Sequence, residues 1–219
     1  MVSHPTASAL LLLALHVLAV VQADEFAPLE VGITPEMDFF TVLHAGEMVW
    51  VRREQDVGNL VDPEFALTSR PCPPFCIQPM QIAPGVETLG ELELIGYLER
   101  AGRDPSVLVV DTRTSDEVVS GVIPGAVNVP WNDLVPAAGA VDFVVEMRLE
   151  EFGILDDGKA LDFSQAKTLV LYCNGPWCGQ TPSSIEALLD LGYPANRLKW
   201  YRGGMQAWQG LGFPIVDLQ

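Results

Sequence analysis

The chain has 219 residues, 49% of them hydrophobic, which suits one compact domain with additions or one domain plus a small partner. Acids outnumber Lys and Arg 29 to 12, giving a formal charge of −17. Such a field repels phosphate backbones and anionic membranes, so nucleic acid is not an expected partner. It also works against collecting small anions unless a local dipole overrides it.

Residues 1–23 read as a signal peptide. The run from Ala9 to Val21 is apolar apart from His16 and ends in Val21-Gln22-Ala23, with small residues where a signal peptidase needs them. The run is too short for a span, which takes about 20 apolar residues, so no stable membrane insertion is expected. Export makes disulfides the ordinary state of the four cysteines, which fall into two local pairs, Cys72/Cys76 and Cys173/Cys178.

Residues 24–83 form a small, irregular N-terminal extension. Met48-Val49-Trp50-Val51-Arg52 is rich in β-formers and reads as a strand. Between Arg70 and Met80, four prolines in eleven residues forbid a helix interior or central strand, leaving an ordered loop or extended arm.

Residues 84–217 are regular. Thr88 and Glu91 have capping-box spacing and open a helix carrying Leu92, Ile95 and Leu98. Val107–Asp111 is an apolar run typical of a strand buried on both faces. Ala126–Val129 is a short strand reached through Ile123-Pro124-Gly125, and Phe143–Phe152 is helical, closed by Gly153. Asp156-Asp157-Gly158 reads as a turn. Thr168–Tyr172 is another buried strand; Thr181 then caps a helix with Pro182 at its first position, and Gly192 ends it. Arg197–Tyr201 is the last strand, followed by Gly203-Gly204 and a short helix around Trp208. This alternation predicts a largely parallel sheet with both faces covered.

Ligands of such sheets bind beyond the carboxyl ends of the strands. Cys173 is the first residue there, and Asn174, Gly175, Pro176, Trp177, Cys178, Gly179 and Gln180 lead from it into a helix N-terminus. Backbone N–H groups and the positive helix end stabilise a thiolate, so Cys173 needs no side-chain base to be nucleophilic. Other chemistries lack their residues. Only His44 lies outside residues 1–23, a Cys-x5-Arg phosphatase would need arginine where Gly179 stands, and the spacing here is Cys-x4-Cys rather than Cys-x-x-Cys. Sulfur chemistry on one thiolate with a second thiol nearby remains, beside the plainer reading that Cys173 and Cys178 form a structural loop disulfide.

The series Val110-Asp111-Thr112-Arg113, Gly121-Val122-Ile123-Pro124-Gly125-Ala126, Leu171-Tyr172-Cys173 and Tyr201-Arg202-Gly203-Gly204-Met205-Gln206-Ala207-Trp208 resembles a rhodanese domain over about 130 residues. The resemblance implies a doubly wound, mostly parallel α/β sheet of about five strands and a cysteine, matched by Cys173, that carries persulfide sulfur between donor and acceptor. Asp111 and Arg113 match the Asp-x-Arg element and are read as structural support. The loop departs from the family pattern: it is about two residues longer, contains no Lys or Arg, and adds Trp177 and Cys178, while Val122 stands where many relatives have histidine. With the upstream Cys72–Met80 segment, it is similar to a subgroup of exported bacterial rhodanese-like proteins.

Cys72 and Cys76 admit three readings. They form a structural disulfide, either with each other or from the arm to Cys178, a link that would close about 100 residues and contribute roughly 4–5 kcal/mol. They relay redox equivalents or persulfide, or with Met80 they hold Cu(I). Beyond that Cu(I) reading, no motif implies a resident cofactor or metal. Trp200, Tyr201 and Trp208 are expected to be core, and Arg113 and Arg202 to pair with acids such as Asp111.

Two functions, beside Cu(I) handling by Cys72 and Cys76, follow as expectations for a periplasmic or secreted protein. One is a sulfurtransferase-like enzyme with a small sulfur donor or a protein thiol acceptor. The other is a non-catalytic binding or assembly factor for a periplasmic protein partner.

Overall fold

The computed structural model describes residues 30–218 apart from Pro73, Pro74 and Asp157. The signal-peptide reading of residues 1–23 lies outside them.

The extension begins with a hairpin of β1 (Phe39–His44) and β2 (Glu47–Arg52), turned by Ala45 and Gly46, both at positive φ. The domain follows as β3 (Glu87–Leu89), α1 (Glu91–Ala101), β4 (Val107–Asp111), β5 (Val127–Asn128), α2 (Asp142–Glu151), the small hairpin β6 (Leu155–Asp156) and β7 (Leu161–Asp162), β8 (Thr168–Tyr172), α3 (Gln180–Asp190), β9 (Leu198–Tyr201) and α4 (Gly204–Gly210). Five strands form a parallel sheet in the order β3-β9-β8-β4-β5. The α/β class and the five-strand parallel sheet match the expectation.

The two-residue period of the strands divides the core into two. Val109, Val170, Tyr172 and Tyr201 face α1, α4 and the β1–β2 hairpin, together with Leu94, Leu98, Trp208 and Phe65. Val110, Leu169, Leu171 and Trp200 face the other way, onto Ile185 and Leu188 of α3 and onto Leu149. The aromatics Trp200, Tyr201 and Trp208 are thus core residues, at 1%, 0% and 0% exposure. The extension shares the first core: Phe40, Val42, Val51 and Phe65 are buried in it, each stabilising the fold by about 1.5–3 kcal/mol.

Several local expectations need correction. Thr88 lies in β3 and donates its hydroxyl to the Met80 carbonyl, so it caps nothing; Gly90 is the N-cap, and its N–H donates to Glu93. Leu92 is exposed, and Leu94 takes its place in the buried stripe. α3 starts at Gln180, which puts Pro182 third, where a missing N–H costs no helical bond. Thr181 is buried and pairs with the Thr112 hydroxyl at 2.7 Å. Because Thr112 Oγ1 donates to the Tyr172 carbonyl, Thr181 is the donor of that pair.

Candidate active site at the end of β8

β8 ends at Tyr172, and Cys173 follows at the carboxyl edge of the sheet, flanked by β4 and β9. The loop Cys173–Gly179 is held from three sides.

The first side is α4. Met205 N–H donates to the Cys173 carbonyl and Gln206 N–H to that of Asn174, each at 2.9 Å. This approach requires Gly204, whose φ is +57 and whose absent Cβ would lie 2.7 Å from Gly175 N. With two loop carbonyls satisfied by α4, the N–H groups of Asn174, Gly175, Trp177 and Gly179 donate to no backbone carbonyl among the described residues. Donors without a backbone partner next to a helix amino end favour negative charge there.

The second side is Glu117. Its Oε1 accepts from Asn174 Nδ2 at 2.7 Å, and its Oε2 accepts from Gln180 Nε2 at 2.7 Å and from the Thr114 hydroxyl at 2.8 Å. Burial works to raise its pKa. The donations from Gln180, Thr114 and Asn174 outweigh burial and hold the carboxyl below the usual glutamate range. Glu117 is not identified from the sequence; the capping-box spacing of Thr114-Ser115-Asp116-Glu117 signals its bond to Thr114 but not its contacts with the loop.

The third side is the proline-rich arm. Gln78 N–H donates to the Pro176 carbonyl at 2.9 Å, and Arg202 donates to the Gln78 carbonyl at 2.8 Å. The Arg70 guanidinium lies 3.7 Å from the centre of the Trp177 ring, and Phe75 meets that ring edge-on at 5.1 Å. Trp177 Nε1 donates to Gln206, which in turn donates to the Phe65 carbonyl. Arg202 therefore serves the arm and pairs with no acid among the described residues, contrary to expectation. Its Nε is buried without a hydrogen-bond partner.

Both cysteine pairings are local: Cys72 with Cys76, and Cys173 with Cys178. The crosslink from the arm to Cys178 is not the pairing found. Loops of 4 and 5 residues contribute roughly 2 kcal/mol each in the chain-entropy model, so non-covalent contacts hold the arm in place. Cys173 and Cys178 are 3% and 1% exposed, whereas Cys72 is exposed. Neither sulfur of the arm pair is a free thiolate for Cu(I) in this form. No group of three or more His, Cys, Asp or Glu among the described residues is placed to hold a metal ion.

Asp111 and Arg113 form a buried two-point ion pair, Nη2 to Oδ2 at 2.6 Å and Nε to Oδ1 at 3.0 Å. Arg113 also donates to the carbonyls of Glu117 and Gly121, which ties the Glu117 turn to the Gly121–Ala126 segment. Tyr172, fully buried, has its phenol pKa raised well above the ordinary value by burial and by the Asp111 carboxylate, and it accepts from Ile123 N–H. Val122 is buried and bridged to Val216. His44 accepts from Gly125 N–H through Nδ1 and lies 3.1 Å from the Asp217 carbonyl through Nε2, so both ring nitrogens are committed away from the cysteines.

A cysteine heading a strand–loop–helix crossover of a parallel sheet, with a buried Asp–Arg pair beneath it, defines the class of protein. The chain belongs to the rhodanese-like domain family, whose model matches residues 95–211. It is 27% identical over 128 residues to a sulfurtransferase of Allochromatium vinosum, covering 58% of this chain and 95% of that one. It is also 28% identical over 111 residues to an HTH-type transcriptional regulator of Mycobacterium tuberculosis, covering 51% of this chain but only 38% of the regulator. Among solved structures, the human single domain sulfurtransferase is similar over 58% of this chain and 97% of that chain, with 18% identity and a TM-score of 0.37. Membership of a family with sulfurtransferase relatives supports a sulfurtransferase-type function at the family level.

Proposed function

We propose that the chain is an exported sulfurtransferase-type protein in which Cys173 accepts sulfane sulfur and Cys178 decides its fate. The observation that carries this reading is the bonded pair Cys173–Cys178, set where β8 meets the amino end of α3. In the reduced form, the Cys173 thiolate attacks the outer sulfur of a persulfide donor. The donor's S–S bond breaks, its thiolate leaves, and Cys173 carries the persulfide. An acceptor thiol then takes the outer sulfur and Cys173 leaves as thiolate. Alternatively, the Cys178 thiolate attacks Cys173 Sγ, forms the disulfide and expels hydrosulfide.

Persulfides fit this site better than thiosulfate. The loop has no Lys or Arg to neutralise a dianion, and the Glu117 carboxylate is built into it. Export is supported by the apolar run Ala9–Val21 and by the pairing of all four cysteines. The arm's contact with Trp177 favours the subgroup that joins the Cys72–Met80 segment to this loop.

The test is persulfide formation on reduced, purified protein with several sulfur donors, read by mass spectrometry. Loading of wild type but not of Cys173→Ser is expected; equal loading of both, or loading of neither, sinks the reading. The burial of both sulfurs favours a second reading, a non-catalytic periplasmic binding or assembly factor. A Cys173–Cys178 bond that resists mild reduction would support it.

A further inference from the structure

Resting on the reading of Cys173/Cys178 as a working thiol pair, we propose that Cys72–Cys76 is the port through which an external protein dithiol reduces it. A reductant of protein size meets a steric problem at this site. The disulfide to be opened is almost completely buried, and the arm lies over its loop. The only other disulfide is on that arm, and it begins at an exposed residue, Cys72.

The two pairs are coupled by contacts adjacent to the sulfurs. Phe75 immediately precedes Cys76 and Trp177 immediately precedes Cys178, and their rings meet at 5.1 Å. Gln78 N–H, two residues beyond Cys76, donates to Pro176 O, two residues before Cys178. These two contacts lay the Phe75–Gln78 segment along the Pro176–Cys178 segment, so the residues next to Cys76 touch the residues next to Cys178.

The exchange balances as two ordinary thiol–disulfide steps. A protein dithiol first reduces Cys72–Cys76 and becomes a disulfide itself. The Cys76 thiolate then attacks Cys178 Sγ; the Cys173–Cys178 bond breaks, a Cys76–Cys178 bond forms, and Cys173 leaves as thiolate. Cys72 next attacks Cys76 Sγ, restoring the arm disulfide and releasing the Cys178 thiolate. Two electrons and two protons pass from the external dithiol to the site. The direction of attack follows from the contacts, which bring the arm to the Cys178 side of the loop, so Cys178 Sγ is the sulfur attacked and Cys173 is the leaving group.

The experiment follows the appearance of the Cys173 thiol by acid quenching, alkylation and mass spectrometry in oxidised full-length chain. A reduced thioredoxin-type protein and dithiothreitol serve as the two reductants. With the protein dithiol, C72S/C76S should open Cys173–Cys178 about tenfold or more slowly than wild type, while dithiothreitol opens both alike. In C72S, the lone Cys76 attacks without a resolving partner, so a Cys76–Cys178 crosslink should accumulate with Cys173 free. Cys76→Ser, lacking the attacking sulfur, should give no crosslink. Opening of C72S/C76S by the protein dithiol at the wild-type rate, or a C72S chain that keeps Cys173–Cys178 with Cys76 alkylatable, overturns this inference and leaves the proposed function standing. Failure of dithiothreitol to open Cys173–Cys178 in wild type overturns both.

Discussion

Glu117 and Gln180, 63 residues apart in the chain, meet at 2.7 Å between Oε2 and Nε2. Because Glu117 also holds Asn174, one carboxylate grips the loop at both ends. Its pKa lies below the ordinary 4.5 in the folded chain. A depressed carboxylate contributes stability that is complete above the unfolded value and is lost as pH falls through the folded one. Glu117→Gln should therefore lower stability at pH 7 and flatten its dependence on pH below about 4.5. Urea titrations at several pH values check this; parallel slopes for both proteins would refute it.

Gly204 and Cys173 set a second constraint. An alanine at 204 must take a positive φ, costing about 1–2 kcal/mol, and must also push its Cβ into the loop backbone. Gly204→Ala should lose roughly 2–4 kcal/mol in denaturant unfolding and also impair persulfide loading at Cys173. A variant of wild-type stability would show that α4 can retreat without cost.

Asp111→Asn should be more damaging than its near-identical shape implies. It leaves the Arg113 guanidinium buried without its counter-charge, a loss of about 3–5 kcal/mol. Arg113 also holds the carbonyls of Glu117 and Gly121, so the Glu117 turn should loosen with it. Thermal unfolding and amide exchange at residues 114–122 provide the check.

Arg70→Ala separates stability from access. The cation–π contact with Trp177 is worth only about 0.5–1 kcal/mol at a surface, so unfolding should hardly change. The arm should lift more often, and dithiothreitol should open Cys173–Cys178 faster than in wild type. An unchanged rate would mean that the arm does not limit access.

The long apolar runs were legible in the sequence with almost no help. Val107–Asp111 and Thr168–Tyr172 are strands with the boundaries read from the sequence, because central parallel strands are buried on both faces and leave no room for polar interruptions. The three-residue β3 carried too little pattern to be seen. Its Thr88 was read as a cap because spacing alone cannot tell a hydroxyl that binds its own helix from one that reaches back to Met80.

The sequence by itself also determined where Cys173 falls and that its loop lacks bases, since strand, glycines and helix are contiguous there. Only the tertiary structure decided what surrounds it. Glu117, Gly204, Gln206 and Arg70 reach the loop from distant parts of the chain, and nothing in their local sequence encodes that meeting. The cysteine pairing was also settled by packing. The arm is seated by Phe65, Arg70, Phe75 and Gln78 without a covalent tie, so each cysteine pairs with the partner its own short loop brings near.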